Sequence, residues 1–343
     1  MIVILSSGAT KENLKHVTQM LEERGYAVHV SEGVERTIVG AVGVPADPTQ
    51  KAAVMEQFEA LPYVDRVVPV SKPYKVVNKQ FHPDPTVINV RGIKIGDPTS
   101  VVMMAGPCTV ETEEQLMASA RAVKAAGAHI LRGGAYKPST SPYSFHGHGE
   151  AALKMLAAAR EELGMPIITE VMDVRDVELV CEYADILQIG TRNMANFNLL
   201  REVGKTQTPA MLKRGMAATI EEWLQAAEYI ASQGNKNVML CERGIRTFET
   251  YTRNTFDINA VAAVKELSHL PIIADPSHAT GKASLVNAVS RAALAAGADG
   301  LIIEVHPNPE KALKDGAQSL LPEAFVKLMH DLAPIAGAVG RRL

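Results

Sequence analysis

Cys108, Arg132, Lys137, Glu170, Arg192, Lys213, Glu242, Arg243, His278 and Glu304 each stand at or just past the end of a short apolar run, and Asp315 follows Glu304 by eleven positions. They divide by chemistry into two groups. Arg132, Lys137, Arg192, Lys213 and Arg243 are cations; a guanidinium grips carboxylate or phosphate through two parallel N–H donors, and lysine adds a point charge. Such a set implies a small, multiply charged anion, or two of them. Cys108, His278, Glu304 and Asp315 offer a thiolate, an imidazole and two carboxylates. That mixture of soft and hard donors suits a divalent transition metal (Mn²⁺, Fe²⁺, Co²⁺ or Zn²⁺) better than Mg²⁺ or Ca²⁺. Taken singly, each is an ordinary loop residue, and a lone cysteine is more often a small buried hydrophobe. Their shared position at run ends is what needs an explanation.

The explanation lies in the rhythm of the chain after Val101. The runs VVMMA, AHILR, PIITE, DILQI, PAMLK, NVMLC, PIIAD and GLIIE alternate with helical segments, several of which end on glycine, as in VKAAGAHILR and AAREELGMPIITE. Eight such units are those of a (β/α)8 TIM barrel, whose continuous apolar strands are covered on both sides and whose chemistry sits at the C-terminal strand ends. An open doubly wound sheet predicts a glycine-rich phosphate turn after its first strand, where this chain has AGPCTVE. The barrel is therefore expected over residues 99–343.

Ahead of it, MIVIL, a helix over about residues 10–23, YAVHV, RTIVGAV, a helix over about residues 49–59 opened by Asp47-Pro48, and VDRVVPV follow the βαββαβ order of a ferredoxin-like domain. This domain, residues 1–70, carries no catalytic constellation and suits regulation or oligomerisation. Residues 71–98 are a Pro-rich linker followed by a short hairpin, VINV and IKI around Arg91-Gly92, which serves as a plug or linker. A formal net charge of −3 provides no bulk attraction to nucleic acid or an anionic membrane. Three scattered cysteines suit reduced thiols, and the apolar start is too short for a leader or a span, so the chain reads as a cytoplasmic protein.

The stretches AGPCTVE, LRGGAYKPSTSPYSF, IGTRNMANFNLL, LKRG, CERGIRTFETYTRNTFDINAV, DPSHATG and EVHPNPEKALKDGAQSL together resemble the 3-deoxy-D-arabino-heptulosonate 7-phosphate (DAHP) synthases. More narrowly the chain is similar to their type I beta subtype, which carries a ferredoxin-like regulatory domain; ERTIVGAVG and VSKPYKVVNKQFHP extend the likeness into the first hundred residues. The resemblance implies a transferase that condenses phosphoenolpyruvate with erythrose 4-phosphate and opens the shikimate route to aromatic amino acids. It implies one divalent metal ion on Cys108, His278, Glu304 and Asp315. It places phosphoenolpyruvate on Arg132, Lys137, Gly190, Arg192, Lys213 and Arg243, and the aldose on the loop Lys137, Pro138, Ser139 and Thr140. Lys137, Glu170 and His278 are the implied catalytic groups, and a homotetramer with tyrosine or phenylalanine feedback through the first domain is the implied assembly.

The chain departs from the subtype's usual Lys-Pro-Arg-Thr, because Ser139 replaces the arginine, and His146 and His148 replace a later glutamine and leucine. Either other cations hold the aldose phosphate, or the acceptor pocket is retuned, with the two histidines meeting the phosphate from another angle or with a different aldose preferred, as in a related phosphoenolpyruvate-dependent 3-deoxy-ulosonate synthase. The related octulosonate 8-phosphate synthases share the barrel but typically have a Lys-Ala-Asn-Arg-Ser loop. Two rivals of other classes are a Schiff-base aldolase using Lys213 and a noncatalytic amino acid sensor with a vestigial barrel. His129, Cys181, Cys241 and Trp223 read as packing residues, and His306 as a support for the ligand set or a loop cap.

Overall fold

In the computed structural model, residues 1–33, 36–43, 48–68, 73–138 and 141–343 are described, residues 48–52 by their backbone alone. Asp47, Ser139 and Thr140 lie outside the described residues. The chain divides into two units, residues 1–84 with 267–269, and residues 85–266 with 270–343.

The first unit contains β1 (Ile2–Leu5), α1 (Lys11–Glu22), β2 (Ala27–Glu32), β3 (Thr37–Val42), α2 (Pro48–Glu59) and β4 (Val64–Val68). Its antiparallel sheet has the order β2-β3-β1-β4, which is the ferredoxin-like arrangement expected. Thr10 caps α1 by accepting a hydrogen bond from the Asn13 N–H, and the Asn13 side chain accepts one from the Thr10 N–H in return. Strand alternation gives the sheet two apolar faces. Val3, Leu5 and Val39 pack with Val17, Leu21 and Phe58 of the helices on one side. On the other, Ile2, Ile4 and Ile38 pack with Phe81. The Phe81 ring lies so close to the sheet that a Cβ on Gly40 would come within 1.5 Å of it.

The second unit opens with the hairpin β5 (Ile88–Val90) and β6 (Ile93–Ile95). Then come β7 (Val102–Gly106), β8 (Ile130–Arg132), β9 (Ile167–Val171), β10 (Ile186–Ile189), β11 (Ala210–Lys213), β12 (Val238–Glu242), β13 (Ile272–Ala274) and β14 (Gly300–Glu304), which close into a parallel barrel. These are the eight strands the sequence marks. Gly127, Gly164 and Gly297 take positive φ where helices end, as their phrasing predicts. Ile88, Val90 and Ile95 of the hairpin share one buried cluster with the inward residues of the barrel strands. The hairpin is thus the plug. Trp223 is fully buried and donates to the Leu212 carbonyl, Cys241 belongs to the barrel core, and the His129 ring accepts from the Met103 N–H, so these three do pack as expected. No helix among the described residues is long and apolar enough to cross a membrane.

Gly40→Ala should destabilise the first unit by about 1–3 kcal/mol through overpacking against Phe81. In urea unfolding, Gly40→Ala combined with Phe81→Leu should cost less than the sum of the two single changes.

Candidate active site

Successive side chains of a strand point to opposite faces, so the second residue after an inward apolar one also faces the barrel interior, one layer nearer the C-terminal rim. Ile130 is followed in this way by Arg132, Ile168 by Glu170, Ile186 by Gln188, Met211 by Lys213, Cys241 by Arg243, Ile273 by Asp275 and Ile302 by Glu304. The interior changes from apolar to polar at one level around the barrel. Above that level lies a cavity of about 470 Å³. Cys108, Arg132, Lys137, Pro138, Glu170, Gly190, Arg192, Lys213, Arg243, His278 and Asp315 all line it. Glu304 does not; it is 1% exposed and accepts a hydrogen bond from Arg132 Nη1 at 2.5 Å.

Ligand atoms of Cys108, Glu304 and Asp315 lie within 4.8 Å of one another. His278 Nε2 is 3.4 Å from Glu304 Oε1, while its Nδ1 faces Asp275 Oδ2 at 2.8 Å. An imidazole oriented by a carboxylate through one nitrogen, with the other aimed at further acidic ligands, is the usual arrangement of a metal-binding histidine. The donors therefore fit a divalent transition metal. Lys137 Nζ stands among the same atoms, 2.7 Å from Cys108 Sγ and 3.0 Å from Asp315 Oδ2. The second Glu304 oxygen accepts from Gln318 Nε2 at 2.7 Å, and Gln318 Oε1 in turn accepts from Arg253 Nη1.

These contacts set the charge states. Burial opposes ionisation of Glu304, yet His278, Arg132 and Lys137 hold its pKa down at about 2. Burial likewise opposes charge on Asp275 and Asp315, but His278 and Lys213 outweigh it at the first, and Lys137 and His278 at the second. Burial pushes the Cys108 thiol up, as does Glu304, against the pull of Lys137. Burial lowers the pKa of His278 to about 4, so the ring is neutral and able to act as a ligand. Burial disfavours the Lys137 ammonium, but its anionic neighbours more than restore it.

Asp275 is missing from the sequence-derived set. It is 1% exposed and takes Lys213 Nζ at 2.6 Å and the His278 backbone N–H at 3.0 Å, besides the His278 ring. One residue thus orients a cation of the anion set and an imidazole of the metal set. Its signal is the inward step of two from Ile273, the same rule that places Glu304. Arg246, Arg253 and Lys314 also line the cavity from loops well past the strand ends, where no periodicity marks them. Glu242 turns away from the cavity to Arg214 Nη1 at 2.8 Å and the Gly244 N–H at 2.6 Å. Gly190 is a matter of space: a Cβ there would fall 2.0 Å from Glu170 Oε1, whose other oxygen accepts from Gln188. His146 and His148 do not line the cavity. Their Nε2 atoms donate to the carbonyls of Pro142 at 3.1 Å and Glu111 at 2.9 Å. His306 caps its loop, its Nδ1 accepting from the Asn308 N–H.

Residues 74–336 match the DAHP synthetase I family, and residues 1–72 match the DAHP synthase ferredoxin-like domain. The phospho-2-dehydro-3-deoxyheptonate aldolase of Thermotoga maritima is 49% identical over 340 residues, covering 99% of both chains. The 2-dehydro-3-deoxyphosphooctonate aldolase of Syntrophotalea carbinolica is 32% identical over 273 residues, 74% of this chain and 98% of that one. The crystal structure of the Thermotoga maritima DAHP synthase superposes with a TM-score of 0.78 at 48% identity, covering 99% of this chain and 98% of that one. A truncated form of the Thermotoga maritima synthase gives 0.73 at 49% identity, over 78% of this chain and 98% of its own.

Asp275→Asn removes the charge opposite a buried ammonium and should destabilise the fold by about 3–5 kcal/mol. Lys213→Met in the same chain should recover a large part of that loss, as chemical denaturation of the two single variants and the double variant would reveal.

Proposed function

The chain belongs to the DAHP synthetase I family, and from that membership we propose that it condenses phosphoenolpyruvate with erythrose 4-phosphate, giving DAHP and inorganic phosphate in the cytoplasm. The observation that carries the reading is the convergence of five cations, Arg132, Lys137, Arg192, Lys213 and Arg243, on one cavity. A guanidinium or ammonium gathered with others in this way is stabilised by an anionic hydrogen-bond acceptor. The carboxylate and phosphate of an enol phosphate are such acceptors, with Lys137, Gly190, Arg192 and Lys213 completing the grip. Pro138 lines the same cavity beside them, and with Ser139 and Thr140 it would face the aldose.

In the reaction, carbon 3 of phosphoenolpyruvate forms the new bond to the aldehyde carbon, whose oxygen takes a proton. Water then adds at carbon 2, and the bond from carbon 2 to the phosphate oxygen breaks, so the phosphate leaves with its electron pair. One divalent ion, Mn²⁺, Fe²⁺, Co²⁺ or Zn²⁺, held by Cys108, His278, Glu304 and Asp315 would supply Lewis-acid polarisation of the aldehyde. The arginines and lysines stabilise charge gathering on the departing phosphate. Lys137 and Glu170 line the cavity and would handle the protons, with His278 Nδ1 lying 2.8 Å from Asp275 Oδ2.

Arg246 and Lys314 support a phosphorylated acceptor, since they add positive charge to the cavity of a chain whose loop has Ser139 in place of arginine. The contacts of His146 and His148 with carbonyls support scaffolding rather than phosphate recognition. The pairing of Lys213 with Asp275 speaks against a Schiff-base lysine, which works as a free amine. Retention of both the anion set and the metal set speaks against a vestigial barrel.

For regulation, the first unit has its own cavity of about 630 Å³, where Ile2, Ile4, Ile38 and Val68 meet Ser31, Arg36, Arg66 and Asp84. Apolar walls with cations and a carboxylate suit an aromatic amino acid such as tyrosine or phenylalanine, and the subtype's homotetramer is the assembly through which feedback would operate.

Phosphate release from phosphoenolpyruvate and erythrose 4-phosphate should vanish with a chelator and return with Mn²⁺; no activity with any of the four metals would overturn the assignment. Separately, Arg66→Ser should raise the concentration of tyrosine or phenylalanine needed for half-inhibition while leaving uninhibited turnover unchanged.

A further inference from the structure

Glu111 lies outside the cavity, three residues past Cys108, yet three loops of the barrel rim meet on it. Its Oε1 accepts the Leu313 backbone N–H at 2.8 Å, two residues before Asp315. Its carbonyl accepts His148 Nε2 at 2.9 Å. Its Oε2 faces His306 Nε2 at 3.6 Å, and its own N–H donates to Gln115 Oε1, so the residue is fixed from the helix side as well. The side chain is only 11% exposed.

The loop reached through His148 is itself a small hairpin. Tyr136 bridges Gly147, the Lys137 N–H donates to the His146 carbonyl at 2.8 Å, and the Gly149 N–H donates to the Ala135 carbonyl at 3.0 Å. Lys137 rides on one arm and His148 sits at the foot of the other. A further bridge, Thr109 with Gly134, ties the base of that loop to the Cys108 segment. The carboxylate of Glu111 thus governs the segment bearing Asp315, and its carbonyl governs the hairpin bearing Lys137. Asp315 and Lys137 touch each other at 3.0 Å, so the two tethers close a ring around that contact.

We infer that Glu111 is a positioning residue that sets Asp315 and Lys137 relative to Cys108, and that His148 is the tether by which the Lys137 hairpin is held. The inference rests on the proposed condensation only for its kinetic half. Its metal half is read without turnover.

Mn²⁺ binding to the full-length apoenzyme, measured by calorimetry without substrates, tests the carboxylate tether. Glu111→Ala should weaken binding about ten- to a hundred-fold, the usual effect of losing a group that orients a ligand, whereas Glu111→Gln keeps an acceptor oxygen and should bind nearly as the parent does. If Glu111→Ala proves too unstable to purify, Leu313→Pro removes the donor instead. Leu313 is 55% exposed, and Ala312 before it has φ −60° and ψ 131°, a conformation compatible with a following proline. Glu111→Ala with Leu313→Pro should be no worse than the weaker-binding of the two singles. His148→Leu should raise KM for the aldose about fivefold, the equivalent of one hydrogen bond, with Mn²⁺ affinity within twofold of the parent. Unchanged Mn²⁺ affinity in Glu111→Ala or Leu313→Pro, with only a lowered melting temperature, would overturn the inference. So would loss of metal binding in Glu111→Gln equal to that in Glu111→Ala. A chain inactive in condensation whose Glu111→Ala variant still loses Mn²⁺ affinity would count against the proposed reaction and leave the tether standing.

Discussion

Three carboxylates at the barrel mouth, those of Asp275, Glu304 and Asp315, stay ionised although burial opposes it, and everything else in the site answers to that constraint. Removing an anion from water costs several kcal/mol unless cations and hydrogen bonds surround it. Lys213 and His278 meet Asp275, Arg132 and Gln318 meet Glu304, and Lys137 and Arg253 meet Asp315. Three of the cations proposed to hold substrate, Arg132, Lys137 and Lys213, therefore also keep these carboxylates charged. A site whose members neutralise one another arrives at its geometry before any ligand does, which is the condition for electrostatic catalysis at low reorganisation cost.

Much of this was legible in the chain because two simple periodicities coincide. Apolar runs bounded by helix-ending glycines mark eight strands, and the step of two along each strand carries the inward face from the apolar layer to the polar one. Arg132, Glu170, Lys213, Arg243 and Glu304 follow from that alone. Asp275 obeys the same rule, but an aspartate before proline reads first as a helix cap, and it is indeed also the cap of the short helix Pro276–Thr280.

Loop residues were less legible, for a physical reason. Past the strand ends no repeat dictates which way a side chain turns, so His146 and His148, polar and close to Lys137 in sequence, invite a place in the pocket. The hairpin they belong to instead directs both imidazoles to backbone carbonyls. Glu111 was invisible for the same reason, since its partners lie 37 and 202 residues away in the chain. Gly190 shows the converse, because there the family pattern names the position and the Glu170 carboxylate supplies the cause.

The hairpin of Ile88, Val90 and Ile95 has a consequence for traffic. Packed into the same apolar cluster as the inward residues of all eight strands, it stops the far end of the barrel, so that the cavity is approached from the rim. Whatever rests on the polar layer is met from the rim side. A vessel corked at the bottom fills and empties at its mouth, so in this chain the direction of arrival and departure is a property of the floor as much as of the rim.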